Sequence, residues 1–274
     1  MAEPTAVTVY GVDVGNSRVK LVEILASKGS KPSPQSLGLG KHRTFLRAPT
    51  GSCPGDGELD QQLVQQLVAS LSFPARLHLV SVDPKLNEHI REAFQDQPAE
   101  LLFWDSYNLP LEHPYADASE LGADRLLAAW ASHKLVGGPV IVVDAGTALT
   151  VDLVDKDGRF AGGAIAPGLS LAARSLASAG AMLVDVVPVP PLVYPGQSRR
   201  GSLEAGLLAS FLGGAERLVD EGRRCAPEAK LMITGGDGGI LAQEWAARFP
   251  QLHHEPKLLE IGLAELEWRQ HGQD

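Results

Sequence analysis

Two short segments of nearly the same composition stand about half a chain length apart in this sequence. The first reads Val-Asp-Val-Gly-Asn-Ser over residues 12–17, and the second reads Val-Asp-Ala-Gly-Thr-Ala over residues 143–148. Each follows a run of β-branched residues that is typical of a buried strand, and each precedes a second apolar strand. A repeat of this length is too long for a solenoid. The pair therefore predicts a duplicated domain.

The pattern of elements around the two segments is also similar. Three strands open each half, and helices then alternate with further strands, which is typical of an α/β protein. We place the two domains at residues 1–118 and 119–274. We also expect Ser119 to cap a helix that runs to Leu135, and another helix to begin near Ser202.

The composition argues against several classes of protein. A formal net charge of −9 disfavours binding to nucleic acid through general electrostatic attraction. The two cysteines, Cys53 and Cys225, do not have the spacing of a zinc site. Residues 1–13 do not form a secretory signal, and no stretch approaches the roughly 18 apolar residues of a membrane span. We therefore expect a cytoplasmic protein whose partners include neither nucleic acid nor membrane.

Both repeated segments have the chemistry of a phosphate-binding hairpin. The glycine allows close approach of the backbone, and exposed N–H groups with an Asn or Thr side chain can donate to phosphate oxygens. The aspartate at the strand end, Asp13 or Asp144, can hold a cation or its waters. Two such hairpins that face each other across a cleft would grip a nucleotide tail from both sides.

Two further segments suit a nucleotide-dependent site, although each also has a plain structural interpretation. The segment Thr234 to Gly238 (TGGDG) lies between an apolar strand and a helix. It fits either an ordinary turn or, behind two phosphate hairpins, a contact with a nucleoside. Asp124 and Arg125 precede the apolar part of a helix. They fit either charges at a helix start or a general base beside a carboxylate-binding arginine, and their spacing does not separate the two.

In their order along the chain, these segments resemble the type III pantothenate kinases. The matching segments are Asp13 to Lys20 (DVGNSRVK), Leu121 to Arg125 (LGADR), Asp144 to Asp152 (DAGTALTVD), Gly158 to Gly168 (GRFAGGAIAPG) and Thr234 to Asp237 (TGGD). The resemblance implies an α/β fold of two duplicated actin-like (RNase H-like) domains, each a five-stranded mixed sheet with flanking helices, with a cleft between them. It also implies ATP-dependent phosphorylation of the primary hydroxyl of pantothenate to 4′-phosphopantothenate, the first step of coenzyme A biosynthesis.

The resemblance assigns roles to individual residues. Asp124 is expected to accept the proton, and Asp144 to bind a monovalent cation, potassium or ammonium. Magnesium and a homodimer formed by the second half are also implied, and the apolar run Leu203 to Leu212 suits such an interface. The expected ATP contacts are Asp13, Val14, Gly15, Asn16, Ser17, Arg18, Val19, Lys20, Thr147, Gly235 and Gly236. The expected pantothenate contacts are Tyr115, Gly122, Ala123, Asp124, Arg125 and Arg199.

The sequence departs from the family pattern at two of these positions. Ser17 stands where a threonine is common, and the change keeps the hydroxyl. Arg199 stands where the family usually has a threonine that contacts pantothenate. Either this arginine or Arg200 binds the substrate's carboxylate or amide, or both lie in a solvated loop.

Two rival functions remain. One is a kinase for another small hydroxy acid or sugar, and the segment Gly122 to Arg125 argues against it because sugar kinases of this superfamily carry other catalytic signatures. The other is a non-catalytic, regulatory nucleotide-binding relative. The intact aspartates Asp13, Asp124 and Asp144 argue against that second function.

Overall fold

The computed structural model describes residues 7–15, 17–25, 38–46, 56–179, 186 and 188–271. Asn16 and Cys53 lie outside these residues. The chain divides into two compact units, which we call unit 1 and unit 2. Unit 1 comprises the described parts of 1–110, 115–127 and 259–274, and unit 2 those of 111–114 and 128–258. The boundary proposed between residues 118 and 119 stays a prediction.

Strands and helices follow one another in the predicted α/β pattern. Along the chain they are β1 (Thr8–Val14), β2 (Arg18–Leu25), β3 (Gly38–Leu46), α1 (Asp56–Val68), β4 (Ala75–Ser81), α2 (Pro84–Ala93), β5 (Ala99–Trp104), a 3-10 turn (Ala118–Glu120), α3 (Ala123–Val136), β6 (Val140–Ala145), β7 (Ala148–Val154), β8 (Phe160–Pro167), α4 (Leu169–Ala179), α5 (Arg199–Cys225), β9 (Lys230–Thr234), α6 (Gly238–Trp245), β10 (Leu252–His254) and α7 (Leu258–His271).

The two units contain sheets of identical topology. The strand order is β3-β2-β1-β4-β5 in unit 1 and β8-β7-β6-β9-β10 in unit 2. In each sheet the first three strands are antiparallel, and the last two run parallel to the central strand, β1 or β6. The duplication predicted from the repeated segments is thus confirmed in the strand order and direction of both sheets.

The central strand of each sheet is buried on both faces. In β1 six of seven residues are buried, and in β6 five of six. Each strand therefore reads as a continuous apolar run instead of an alternating one. Each unit builds its own core around this strand, from residues such as Val12 and Leu77 in unit 1 and Val143 and Ile233 in unit 2.

Two predicted helix starts are wrong. Ser119 lies inside the 3-10 turn, whose N-cap is Asp117, and the extended residue Leu121 (ψ 119°) interrupts the helical backbone before α3 begins. The helix expected near Ser202 begins at Arg199, because the side chain of Ser198 accepts a hydrogen bond from the Gly201 N–H and caps it. A side-chain acceptor earlier in the chain caps the 3-10 turn in the first case and α5 in the second.

Helix α7 packs in unit 1, although it follows unit 2 along the chain. It approaches β1 so closely that a methyl group on Gly11 would lie 3.1 Å from Leu263. One turn further along α7, Glu267 contacts two side chains of β4. Its Oε1 accepts a hydrogen bond from Arg76 Nη1 at 2.9 Å, and its Oε2 lies 2.7 Å from Nε2 of the fully buried His78.

The ring of His78 has a defined hydrogen pattern. Its Nδ1 accepts a hydrogen bond from the indole N–H of Trp104 at 2.9 Å, so the hydrogen of the neutral ring lies on Nε2 and is donated to Glu267. Arg76 also pairs with the more exposed Glu100, at 2.6 Å. This group of five side chains ties α7 to β4 and β5.

None of the described helices has the length and apolarity needed to cross a bilayer.

Candidate active site

The first predicted phosphate hairpin connects β1 to β2 in unit 1. The Gly15 N–H donates to the carbonyl of Arg18 at 2.9 Å and closes the turn. Asp13 and Lys20 face each other in the register of the two strands, and Lys20 Nζ lies 3.5 Å from Asp13 Oδ2. Asp13 is buried and Lys20 is half-buried. The hairpin therefore presents a paired carboxylate and ammonium at the carboxyl end of the central strand, where α/β sheets commonly bind ligands.

The other expected ATP contacts of this hairpin differ in whether the side chain or only the backbone is available to a nucleotide. Val14 and Val19 point their side chains into the core, so each could contact a nucleotide only through its backbone. The side chain of Arg18 is exposed and that of Ser17 is half-buried. Asn16 lies outside the described residues.

The second hairpin connects β6 to β7 in unit 2. The Gly146 N–H donates to the Ala148 carbonyl at 2.9 Å, which repeats the closing bond of the first hairpin. Asp144 occupies the end of β6, as Asp13 does in β1. Thr147 follows in the turn, and its carbonyl accepts the Gly168 N–H at 3.0 Å. The two hairpins thus share their closing bond and the position of their aspartate.

The Gly-rich turn after β9 lies directly against the second hairpin. Thr234 pairs with Asp144 across the parallel strands, and the Asp237 N–H donates to the Ala145 carbonyl at 2.8 Å. Gly235 has a φ of 88°, and any side chain there would collide with the Asp144 carboxylate and the Ala145 carbonyl. Only glycine fits this position. Two segments that are far apart in sequence, Asp144–Thr147 and Thr234–Asp237, therefore form one surface.

Both hairpin aspartates supply the oxygen ligands that magnesium and potassium prefer. Within the described ranges, no group of three or more His, Cys, Asp or Glu side chains is arranged to hold a metal ion. A cation at Asp144 would therefore need further oxygens, from backbone carbonyls of the hairpin, from water or from the ligand itself. The donor set fits a hard cation with an incomplete protein shell.

Asp124 lies in the first turn of α3, in unit 1. Its Oδ1 accepts the backbone N–H of Arg125 at 2.8 Å. Burial raises the pKa of Asp124 above its ordinary value, and the Arg125 N–H and positive charge oppose only part of that effect. A carboxylate with a raised pKa is suited to take a proton from an alcohol near neutral pH.

Gly122 gives Asp124 the space it occupies. A Cβ at position 122 would lie 2.5 Å from Asp124 Oδ1 and 3.8 Å from the side chain of Arg125. Ala123 is buried beside it, and the side chain of Arg125 is 8% exposed. A buried arginine beside this carboxylate is suited to hold an anionic group of a substrate.

The loop before this segment is held by two aspartates. The Asp105 carboxylate accepts the backbone N–H groups of Tyr107 and Asn108 at 2.9 and 3.1 Å. The Asp117 carboxylate accepts from the Ser119 hydroxyl and backbone N–H, and these bonds lower the pKa of Asp117. Tyr115, an expected substrate contact, lies in this loop and is half-buried. Tyr115 and Asp124 both belong to unit 1.

Arg199 belongs to unit 2 and is the first residue of α5, so it does not lie in a loop. Its side chain is exposed. The neighbouring Arg200 is paired along the helix with Glu204, at 2.8 Å. A cation in the first turn of a helix gains nothing from the helix dipole, which favours anions at this end.

Sequence reasoning missed one charged residue near the first hairpin. Glu260, in the first turn of α7, is 3% exposed, and its Oε1 lies 3.9 Å from Lys20 Nζ. The signal available was a single glutamate inside the apolar segment LLEIGL, residues 258–263. A charge at a position that pattern assigns to the core requires a partner, and that partner could not be read from the sequence.

Relatives of known family match much of the chain. A type III pantothenate kinase from Synechococcus sp. (strain JA-2-3B'a(2-13)) is 38% identical over 161 residues, covering 57% of this chain and 61% of that protein. A second, from Synechococcus sp. (strain JA-3-3Ab), is 37% identical over 161 residues, covering 57% of this chain and 64% of the relative. The chain thus spans less than two thirds of the length of these curated relatives.

Solved structures of similar fold have lower sequence identity. A Campylobacter jejuni protein assigned to the Baf family of transcriptional activators has a TM-score of 0.61 at 20% identity, covering 96% of this chain and 99% of that one. An archaeal actin homolog has a TM-score of 0.50 at 13% identity, covering 96% and 99%. At these identities the likeness shows the fold alone, and it confirms the predicted actin-like architecture.

A sequence profile of the type III pantothenate kinases matches residues 11–221. This span contains both hairpins and the segment Gly122 to Arg125, and it exceeds half of the chain. The profile match, the curated relatives and the repeated actin-like sheets agree with one another. The chain therefore belongs to the type III pantothenate kinase family.

Proposed function

We propose that this chain transfers the γ-phosphoryl group of ATP to the primary hydroxyl of pantothenate and releases ADP and 4′-phosphopantothenate. This reaction is the first step of coenzyme A biosynthesis. The observation that carries the proposal is the Asp124 carboxylate, whose pKa is raised by burial and which is followed by a buried arginine. Membership of the family supports the choice of substrate.

The proposed chemistry is an in-line displacement at phosphorus. The oxygen of the pantothenate hydroxyl forms a bond to the γ-phosphorus, and the bond between that phosphorus and the β–γ bridging oxygen breaks. Asp124 takes the hydroxyl proton, so ADP leaves with the electron pair of the broken bond. Such a reaction depends on positioning and charge neutralisation more than on covalent help. Removing a general base typically costs about 100- to 10,000-fold in rate.

The nucleotide is assigned to the repeated hairpins. In unit 1 the Lys20 ammonium and the backbone N–H groups of residues 13–20 are the proposed donors to phosphate oxygens. In unit 2 Thr147 is a proposed phosphate contact, and the glycine backbone at 235–236, which carries no side chains, is a proposed nucleoside contact. Asp13 would hold magnesium and Asp144 a monovalent cation, which when bound supply positive charge against the phosphates.

The acceptor substrate is assigned to Arg125 and its neighbours. The pantothenate carboxylate is a planar anion, which a guanidinium can hold with two parallel hydrogen bonds. Gly122, Ala123 and Tyr115 complete the proposed contacts in unit 1. Arg199 is proposed as a further contact because its side chain is exposed, whereas Arg200 is already paired with Glu204.

The test is an ADP-release assay on the purified chain with pantothenate and a panel of other alcohols. We expect ADP to form only when pantothenate is added, and a mass increase of one phosphate on the product. Turnover with another hydroxy acid or a sugar in place of pantothenate would support the first rival function. Nucleotide binding without turnover on any alcohol would support the non-catalytic rival.

A homodimer formed through unit 2 is part of the proposal. Much of the apolar surface of α5 is already buried, since Leu207 and Phe211 lie in the core of unit 2 and Leu208 is also buried. Ile165 on the edge strand β8 and Leu176 on α4 are instead exposed, at 64% and 40%. We expect these side chains in the interface, with a dimer mass by light scattering at micromolar concentration. A monomer mass would contradict the proposed dimer.

A cytoplasmic location stays a prediction.

A further inference from the structure

Glu260 shares the ammonium of Lys20 with Asp13. Lys20 Nζ lies 3.5 Å from Asp13 Oδ2 and 3.9 Å from Glu260 Oε1. Asp13 is the next-to-last residue of β1, Lys20 lies on β2 and Glu260 lies in the first turn of α7, so three elements of unit 1 meet at this charge. The two carboxylates are nearly buried, with side chains 9% and 5% exposed, whereas 30% of the Lys20 side chain remains exposed.

The buried glutamate is costly for the fold alone. Its Oε2 has no hydrogen-bond partner among the described residues, and its neighbours Leu258, Ile261 and Leu263 are all buried and apolar. A carboxylate removed from water without full pairing is unfavourable, and an apolar side chain of similar size is often at least as stable. The positive end of the α7 dipole offsets only part of that cost. A purely structural role therefore explains Glu260 poorly.

A second carboxylate changes what Lys20 can do. A lysine side chain has four rotatable bonds, and its ammonium is a mobile point charge unless it is restrained. Glu260 Oε1, on α7, lies 3.9 Å from the same ammonium that Asp13 Oδ2, on β1, approaches to 3.5 Å, so the ammonium is attracted to two carboxylates on different elements. Fewer positions are then open to it, and the 30% of the side chain that is exposed can still reach a ligand.

We infer that Glu260 is a positioning residue for Lys20, holding the lysine ammonium in place for the phosphates of the nucleotide. This inference rests on the proposed function, because it assigns Lys20 to nucleotide phosphates. Glu260 does not touch the reacting atoms. Restraining a long flexible side chain in advance is worth roughly two- to twelvefold in a binding constant.

The direction in which removing the Glu260 charge changes nucleotide affinity distinguishes positioning of Lys20 from simple charge repulsion. A negative charge near a phosphate site repels the nucleotide, so its removal should tighten binding if charge alone mattered. Loss of positioning should weaken binding. Glu260→Gln keeps the size of the side chain, removes its charge, and gives the two explanations opposite outcomes.

The experiment is calorimetric titration of the intact chain with a non-hydrolysable ATP analogue and magnesium. We expect Glu260→Gln to raise the dissociation constant roughly two- to twelvefold. Glu100→Gln removes the same charge from an exposed pair of unit 1 and should leave the dissociation constant unchanged. Thermal unfolding of the ligand-free proteins should show no lower midpoint for Glu260→Gln than for the wild type.

A double-mutant cycle tests whether Glu260 acts through Lys20. In a Lys20→Gln background, Glu260→Gln should have no further effect on binding. The inference would be overturned if Glu260→Gln left the dissociation constant unchanged or lowered it. It would also be overturned if Glu260→Gln raised the dissociation constant as much in the Lys20→Gln background as in the wild type. The cycle remains decisive even if Glu260→Gln lowers the unfolding midpoint. If the wild type and Glu100→Gln bind no nucleotide either, the proposed function itself fails. The two failures are therefore distinguishable.

Discussion

Replacing Glu267 with alanine should destabilise the protein, because this side chain accepts the hydrogen bond of a fully buried histidine. The substitution leaves the Nε2 hydrogen of His78 without an acceptor, which costs about 1–3 kcal/mol. It also removes the ion pair with Arg76, whose side chain is 20% exposed, worth about 0.2–1 kcal/mol after solvent screening. The free energy of unfolding should fall by roughly 1–4 kcal/mol. At the centre of that range the unfolding midpoint falls by roughly 5–10 °C.

Glu100→Ala is the matched control for this substitution. Glu100 also pairs with Arg76, but its side chain is 51% exposed and it does not contact His78. Its removal should change the free energy of unfolding by no more than about 0.5 kcal/mol. Differential scanning calorimetry of both variants gives the comparison. Equal losses in Glu267→Ala and Glu100→Ala would refute the claim that the buried histidine requires Glu267.

The effect of Glu267→Ala should also depend on pH. Burial alone would raise the pKa of Glu267, but the His78 hydrogen bond and the charge of Arg76 outweigh it and lower the pKa. A lowered folded-state pKa contributes stability above the ordinary glutamate value of 4.5, and that stability is lost as the pH falls through the folded-state pKa. The difference between wild type and variant should be full at pH 7 and shrink on acidification below about 4.5. A constant difference would contradict the assignment.

Four further predictions concern the proposed reaction. Asp124→Asn should lose about 100- to 10,000-fold in turnover without loss of stability at pH 7, because a raised pKa means that the fold disfavours the ionised carboxylate that the variant removes. Wild-type turnover should decline on the acid side at a pH above the ordinary aspartate pKa, and near-normal turnover of the variant would exclude Asp124 as the base. Gly122→Ala should lower turnover about 10- to 100-fold with an unchanged circular dichroism spectrum, because its methyl group displaces the Asp124 carboxylate. Turnover in sodium-only buffer should be lower than in potassium or ammonium, and Asp144→Ala should abolish the difference; equal rates in all three salts would remove the cation from Asp144. Arg199→Ala should raise the KM for pantothenate about tenfold and leave the KM for ATP unchanged. Arg200→Ala is the control, because Arg200 is paired with Glu204. An unchanged pantothenate KM in Arg199→Ala would show that Arg199 does not contact the substrate.

The parts of the fold that sequence predicts well are those set by local pattern. The apolar runs of β1 and β6 and the glycine turns after them identified the duplicated sheets, and both are confirmed. The short strand β10 was missed because it has three residues, two of them exposed histidines, and carries no apolar signal. The start of α3 was misplaced because Ser119 has the chemistry of a cap, and the competing Asp117 took that role in a separate turn.

The parts that sequence could not predict depend on contacts between distant segments. Nothing local in α7 says which sheet it covers, so the neighbours of Glu260 and Glu267 were not predictable. The close approach of Gly235 to the Asp144 carboxylate likewise follows from the parallel pairing of β9 with β6. The family resemblance named the candidate site residues, which stay predictions, whereas the space that Gly122 leaves beside Asp124 is visible only in the structure.

The return of α7 to unit 1 has a consequence for synthesis on the ribosome. The five strands of the first sheet emerge early, but residues 259–271 complete their unit only after residues 128–258 have been made. At about 5–20 residues per second, the interval is on the order of 10 s. Throughout it the surface beside Gly11 has no Leu263 against it, and His78 has no carboxylate acceptor. We therefore expect the nascent first sheet to be prone to aggregation or to chaperone binding until α7 has been made.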